Sequence, residues 1–156
     1  DSLTGVYNHS AIQTRLNETL KEANRLKISV AIAMVDLDDF KHVNDNYGHI
    51  KGDQVLKNLC LLLRKRLRET DFIGRYGGEE FLIIFSNTSA KQAKTILNKI
   101  REKFSHLDYL HHDHKFRVTF SAGIAEYPTA QTQDELIKSA DKMLYKAKRK
   151  GKNIIL

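Results

Sequence analysis

The feature that most limits how this chain can fold is the run Val30 to Val35, six consecutive apolar residues that stop abruptly at Asp36-Leu37-Asp38-Asp39. An unbroken apolar run of this length suits a strand buried on both faces, since a half-exposed strand would alternate with polar residues. Such a strand needs helices on both sides. The carboxylates at its exit are poor core residues, because burying charge without a partner is very costly. They admit two readings: a loop cluster with an N-cap for the next helix, or an oxygen-rich site for a hard divalent cation such as Mg²⁺.

The segments around this run supply the required helices. Ser10-Ala11-Ile12-Gln13 reads as a capping box, and Ile12, Leu16, Leu20 and Ala23 recur at helical spacing behind it. A short helix carrying Phe40, Val43 and Tyr47 is expected to stop at Gly48, and a longer one to run from about Gly52 to Arg68. Ala93, Ile96, Leu97, Ile100 and Phe104 mark a further amphipathic helix. Thr132-Gln133-Asp134-Glu135 opens a last one through Leu144 and Ala147, which Gly151 ends. Val118, Phe120, Ala122 and Ile124 alternate like a strand with one buried face, and Asn153 to Leu156 suggest an edge strand. The expected order is α, β, α, α, β, β, α, β, α, β. This is an α/β fold, an α+β sandwich with a central mixed sheet that includes an antiparallel hairpin.

Length and charge narrow the function. At 156 residues the chain fits one domain, residues 1–156, and no Pro/Gly/Ser-rich linker divides it. The lone Cys60 cannot form an internal disulfide, which favours a reducing compartment and a cytoplasmic location. No apolar run approaches the roughly 18 residues of a membrane span, so no membrane contact by this fragment is expected. The net charge of +7 calls for an anionic partner. Lys146, Lys148, Arg149, Lys150 and Lys152 carry much of the excess, either as a solvated helix end or as an anion-binding surface. No aromatic-rich strand platform or groove-reading motif supports nucleic acid as that partner.

The hairpin strands, Asp71 to Tyr76 and Glu79 to Phe85, meet at Gly77-Gly78, a pair expected to take positive φ in a tight turn. Glu79 and Glu80 leave that turn at once. If the hairpin pairs beside the Val30–Val35 strand, Asp36 and one of these glutamates face each other at roughly 5 Å. Like charges so close call for a divalent metal. With a bare glycine turn and a helix N-terminus nearby, a nucleoside triphosphate site is plausible on residue types alone.

Arg75-Tyr76-Gly77-Gly78-Glu79-Glu80-Phe81 resembles the signature of the GGDEF family, in its Glu variant. The likeness extends over nearly the whole chain: Asp1-Ser2-Leu3-Thr4-Gly5, Asp36 to Lys41, Asn44 to His49 with Gly52-Asp53, and Tyr145 to Lys148 with Gly151-Lys152-Asn153. The resemblance implies a nucleotidyl cyclase/polymerase palm fold. It also implies a diguanylate cyclase that condenses two GTP into cyclic di-GMP and two pyrophosphates with Mg²⁺ or Mn²⁺. By the same resemblance Asp36, the Leu37 carbonyl and Glu79 hold the metal. Asp39, Phe40, Lys41, Lys148 and Lys152 meet the phosphates, with a lysine at 152 where the family more often has arginine. Asn44 and Asp53 read guanine, and His49 either lines that pocket or caps a helix. Glu79 or Glu80 is the catalytic proton acceptor. Arg68 and Asp71 match the family's inhibitory product site, although an i,i+3 ion pair would look the same, and its supporting arginine falls at Lys99. Turnover is expected to need a homodimer, and the chain to be the C-terminal part of a longer protein with an upstream sensor domain. A cyclic di-GMP receptor without turnover is the alternative. His9 departs from the family's usual arginine, and His111, His112 and His114 read as a polar loop or a weak metal site.

Overall fold

The computed structural model describes all of residues 1–156. Its elements are α1 (His9–Leu26), β1 (Val30–Leu37), α2 (Phe40–Tyr47), α3 (His49–Arg66), β2 (Phe72–Arg75), β3 (Glu80–Ser86), α4 (Ala90–Ser105), β4 (Tyr109–His111), β5 (His114–Phe116), β6 (Phe120–Tyr127) and α5 (Gln133–Arg149). The main sheet has the order β2-β3-β1-β6, and each of its three pairings is antiparallel. Parallel pairing is confined to two isolated bridges, Tyr7 to Gly74 and Ala122 to Ile155.

The pleat of β1 divides the core in two. Ala31, Ala33, Val35 and Leu37 join a cluster with α3 and α4, while Val30, Ile32 and Met34 join one with α1 and α5. Alternate residues of a strand point to opposite faces, so a strand covered on both sides is apolar throughout, as read from the sequence. It also fixes where Asp36 points. It continues the Met34 side, toward α5.

Five local expectations change. The N-cap of α1 is Asn8, whose Oδ1 accepts from the Ala11 amide at 2.9 Å; Ser10 lies inside the helix and donates to Asn8. Helix α3 begins at His49 rather than near Gly52, because none of His49, Ile50 and Lys51 breaks a helix. Strand β6 is buried on both faces over Phe120–Ala125 rather than on one, being covered by α4 and α5. Residues 109–116 form a small antiparallel hairpin, β4–β5, where a polar loop was expected. Tyr47 anchors it by stacking on Phe116 at 3.8 Å and lying near His111 and His114. The C-terminal segment adds only a bridge at Ile155.

Cys60 is buried, and that burial pushes its thiol up to about 11, which suits a packing residue. Gly123 lets α5 lie directly on β6: a Cβ there would stand 2.1 Å from the Ala140 carbonyl and 2.2 Å from the Leu144 amide nitrogen.

Candidate active site

Antiparallel pairing on both sides of β1 brings three distant segments to one sheet end. Asp36 is in register with Glu80 of β3 and with Ser121 of β6. Glu80 therefore shares the α5 face with Asp36. Its neighbour Glu79 lies in the turn, with its carbonyl accepting from the Leu37 amide at 3.4 Å. Of the two glutamates, Glu80 is the one that faces Asp36.

Neither Gly77 nor Gly78 adopts positive φ, contrary to the tight-turn expectation. The connection is wider than a two-residue turn. The amides of Tyr76 and Gly77 both donate to the Glu80 carbonyl, and the Arg75 guanidinium donates to the Gly78 carbonyl at 2.8 and 3.1 Å. Arg75 also reaches Asp1, whose carboxylate caps the Thr4 turn, so the chain start is tied to the glycine loop. Open space is what the glycines provide: nothing lies within 4 Å of a Cβ built on Gly78.

That space is a cleft of about 570 Å³ lined by Phe40, Lys41, Asn44, His49, Asp53, Leu56, Arg75, Gly78 and Glu79. Five residues expected to meet the nucleotide (Phe40, Lys41, Asn44, His49 and Asp53) thus gather around Glu79. Asn44 Oδ1 is buried in the wall with no hydrogen-bond partner, and Asp53 is exposed to the cleft. Gly52 makes room for the Asn44 side chain, since a Cβ there would sit 2.0 Å from Oδ1. Leu56 and Arg75 were not anticipated as lining residues.

Asp39 opens α2 with φ of 55°, in the left-handed region that few non-glycine residues adopt, and no side chain caps the helix. The first-turn amides of α2 are therefore uncapped donors. Lys152 Nζ donates to Asp39 Oδ1 at 2.5 Å, and Lys152 and Asn153 themselves have positive φ after Gly151. This strained turn delivers both residues to the site. The pair with Asp39 holds the Lys152 ammonium above its ordinary value.

Asp38 is the residue whose importance the sequence reading missed. Its side chain is 3% exposed and accepts from Thr119 Oγ1 (2.6 Å), Ser121 Oγ (2.8 Å), the Asn153 amide (2.9 Å) and Lys148 Nζ (2.6 Å). One carboxylate thus pins β6, the C-terminal turn and α5 to the end of β1. The partners lie 81 to 115 residues away, so no local pattern could announce them. Asp38→Ala would leave the Thr119 and Ser121 hydroxyls and the Asn153 amide without their acceptor and take from Lys148 its shortest ionic contact, a loss of about 3–5 kcal/mol. The expected result is a thermal midpoint lower by about 10 °C in chelator-treated protein, followed by circular dichroism; an unchanged midpoint would refute the anchoring role.

Three carboxyl groups at the sheet end, those of Asp36, Glu79 and Glu80, are held above their ordinary values. Burial is the main cause for Asp36, Glu79 and Glu80; mutual repulsion adds to it, from Asp36 for both glutamates and from Asp38 for Asp36. Asp141 of α5, itself raised by burial, adds to the repulsion at Glu80. Lys148 opposes the effect at Asp36. No three His, Cys, Asp or Glu side chains converge to grip an ion in this conformation. The donor set is nonetheless one that a hard cation prefers: carboxylates carrying mutual repulsion beside the backbone carbonyls at the end of a strand.

Arg68 and Asp71 lie elsewhere. Asp71 is buried and accepts from the Arg68 amide (2.9 Å), from the Arg68 guanidinium (3.1 and 3.2 Å) and from the Ser86 amide (3.2 Å). Arg68 also donates to the Ser86 carbonyl and to Thr88 while its side chain stays 53% exposed. The pair marks the far end of β3 from Glu80. Lys99 is exposed on α4, and His9 lies against the Tyr76 ring at 4.3 Å.

Comparison with known proteins matches this arrangement to one family. Residues 1–154 match the family model described as diguanylate cyclase, GGDEF domain. The chain belongs to the GGDEF family. It is 36% identical over 153 residues to the diguanylate cyclase DgcP of Pseudomonas aeruginosa, covering 98% of this chain and 23% of that protein. It superposes on the GGDEF domain of DgcB from Caulobacter crescentus, solved in complex with c-di-GMP, with a TM-score of 0.94 at 32% identity, covering 99% and 90% of the two chains. The active GGEEF domain of a diguanylate cyclase from Vibrio cholerae gives a TM-score of 0.89 at 30% identity, covering 96% of each. The chain spans about a quarter of the length of DgcP, and 44% or less of several other curated relatives it matches. As a GGDEF domain it has the palm-like cyclase fold, and no helix is long and apolar enough to cross a membrane.

Proposed function

We propose that this domain condenses two GTP molecules into cyclic di-GMP with release of two pyrophosphates. The observation that carries the reading is the cleft: a buried acceptor on Asn44 without a donor, beside Asp53, opens onto Glu79 and the carboxylates at the end of β1. A base that brings N1–H and N2–H₂ donors satisfies both acceptors, and guanine does so where adenine presents an acceptor at N1. Lys41 and Lys152, with the uncapped amides of Asp39 and Phe40, flank the entrance to α2 and would hold the phosphates.

Asp36, the Leu37 carbonyl and Glu79 are the residues that would hold Mg²⁺ or Mn²⁺, which supplies Lewis-acid activation of the 3′-hydroxyl and charge neutralisation at the α-phosphate. Glu80, whose carboxyl burial and Asp36 hold above its ordinary value, would accept the hydroxyl proton. One cleft binds one GTP, so joining two of them takes two copies of the domain face to face as a homodimer. We read the domain as the output part of a longer cytoplasmic or membrane-anchored protein, in keeping with the greater length of its relatives. A sensor domain upstream would then set dimerisation.

The test is to incubate the purified domain, and a leucine-zipper fusion that forces pairing, with GTP and Mg²⁺ and to separate the products by chromatography. Cyclic di-GMP and pyrophosphate are expected, and their absence from the forced dimer would overturn the reading.

A second function at the Arg68–Asp71 pair rests on the exposed Arg68 guanidinium, whose fork would bond guanine O6 and N7 while the buried Asp71 carboxylate holds it in place. We propose that product bound here inhibits turnover. Arg68→Ala is expected to abolish inhibition by added cyclic di-GMP while uninhibited turnover stays within about threefold of wild type. An unchanged inhibition curve would refute the assignment. If the domain bound cyclic di-GMP but made none, the receptor reading would replace the cyclase one.

A further inference from the structure

Lys148 reaches from the last turn of α5 into the oxygen cluster at the end of β1. Its Nζ lies 2.6 Å from Asp38 Oδ1, 3.2 Å from the Leu37 carbonyl, 3.3 Å from the Asp36 carbonyl and 3.4 Å from Asp36 Oδ1. Four oxygens surround three N–H donors, a crowding typical of a cation site rather than of one directed hydrogen bond. Two of these oxygens, on the Asp36 carboxylate and the Leu37 carbonyl, are those assigned above to the divalent ion. The side chain is only 24% exposed, so Lys148 fills the cluster rather than bordering it.

We propose that Lys148 is an internal counter-cation that occupies the metal cluster in the nucleotide-free domain and must withdraw before a divalent ion can enter. This inference rests on the cyclase reading. The ammonium and the ion compete for the same oxygens, and both at once would set two cations a few ångströms apart. Asp38 keeps its other three partners when Lys148 moves, so the anchor survives the exchange. Asp36 does not: Lys148 is its only cationic partner. The displaced ammonium needs a new anion, and the triphosphate provides one. Metal entry and phosphate capture are therefore coupled through one side chain, and neither is strong alone.

The coupling is measured without turnover, by Mn²⁺ binding followed by electron paramagnetic resonance. Wild type is expected to bind Mn²⁺ weakly alone and about tenfold more tightly with a non-hydrolysable GTP analogue, after correction for Mn²⁺ bound by the analogue itself. Lys148→Met is expected to bind Mn²⁺ about tenfold more tightly than wild type without nucleotide, and to gain little more when the analogue is added. Lys148→Gln, run in parallel, guards against a misfolded variant, and the wild-type titrations stand by themselves. Equal or weaker Mn²⁺ binding by the folded variants would overturn the displacement, as would nucleotide-independent affinity in wild type. Asp36→Asn separates the two readings: if it leaves Mn²⁺ binding unchanged in both backgrounds, the metal assignment fails instead.

Discussion

A Glu80→Gln domain is expected to unfold at a higher temperature than wild type in chelator, yet to make cyclic di-GMP at least about a hundredfold more slowly. Both effects come from one register pair. Asp36 and Glu80 are Cα partners across β1 and β3, with Glu79 and Asp141 adding charge nearby. Like charges directly opposite on a sheet cost roughly 0.2–1 kcal/mol, so neutralising one should raise the metal-free midpoint by about 1–4 °C. The same change removes the proposed proton acceptor, and general-base loss is worth about 10²–10⁴ in rate.

The pH dependence has a definite sign. Asp36 and Glu80 are raised in the folded state from ordinary values of 3.8 and 4.5, so the fold holds their protons more tightly than the unfolded chain does. Their contribution to stability is therefore greatest at low pH. It declines as pH climbs from those ordinary values through the raised ones, then levels off. Thermal unfolding in chelator across this window should show a shallower decline for Glu80→Gln. A lower midpoint for the variant at neutral pH would contradict the repulsion argument, and a normal turnover number would contradict the proton role.

The second large effect is expected from Gly52→Ala. In an exposed helix this change stabilises by about 1 kcal/mol, because alanine loses less backbone entropy. Here the added carbon would stand 2.0 Å from Asn44 Oδ1 and 3.2 Å from the Phe40 ring. The Asn44 side chain has to leave, and Phe40, buried in the core, resists movement. Overpacking of this kind costs about 1–3 kcal/mol, which offsets or exceeds the helical gain. Affinity suffers more. Loss of the Asn44 contact to the base should weaken binding of a non-hydrolysable GTP analogue about 10- to 100-fold by calorimetry. Binding of inorganic triphosphate, which has no base, should change little. If both ligands weakened equally, Asn44 would not be reading the base.

Much of the scaffold was legible because its signals are local. Val30 to Val35 announced a central strand by having no polar residue to turn outward, Gly48 ended α2 and Thr132 began α5. The hairpin at 109–116 was not legible. Its strands are three residues each, half of them polar, and its anchor Tyr47 is more than sixty residues away. The cleft residues were found through motif resemblance, and the structure brings Lys41, Asn44, His49, Asp53 and Glu79 together. Lys148 was assigned to the phosphates through the motif resemblance, but its bond to Asp38 spans 110 residues and depends on how α5 packs across β1 and β6. The φ angles at Gly77-Gly78 were misjudged because Arg75 and the Glu80 carbonyl, rather than the glycines, shape the loop.

The consecutive glutamates at 79 and 80 have the same side chain and nearly the same position, yet the sheet makes them different residues. Glu80 falls on the α5 face, opposite Asp36, while Glu79 joins the wall shared with α2 and α3. A strand that slips by one residue exchanges its two faces. Inserting a single residue between Glu80 and Phe81 would leave both carboxylates in the chain while turning Glu80 away from Asp36. Composition at this place is thus nearly redundant, whereas spacing is not, and variants of unequal loop length should be compared by register before they are compared by sequence.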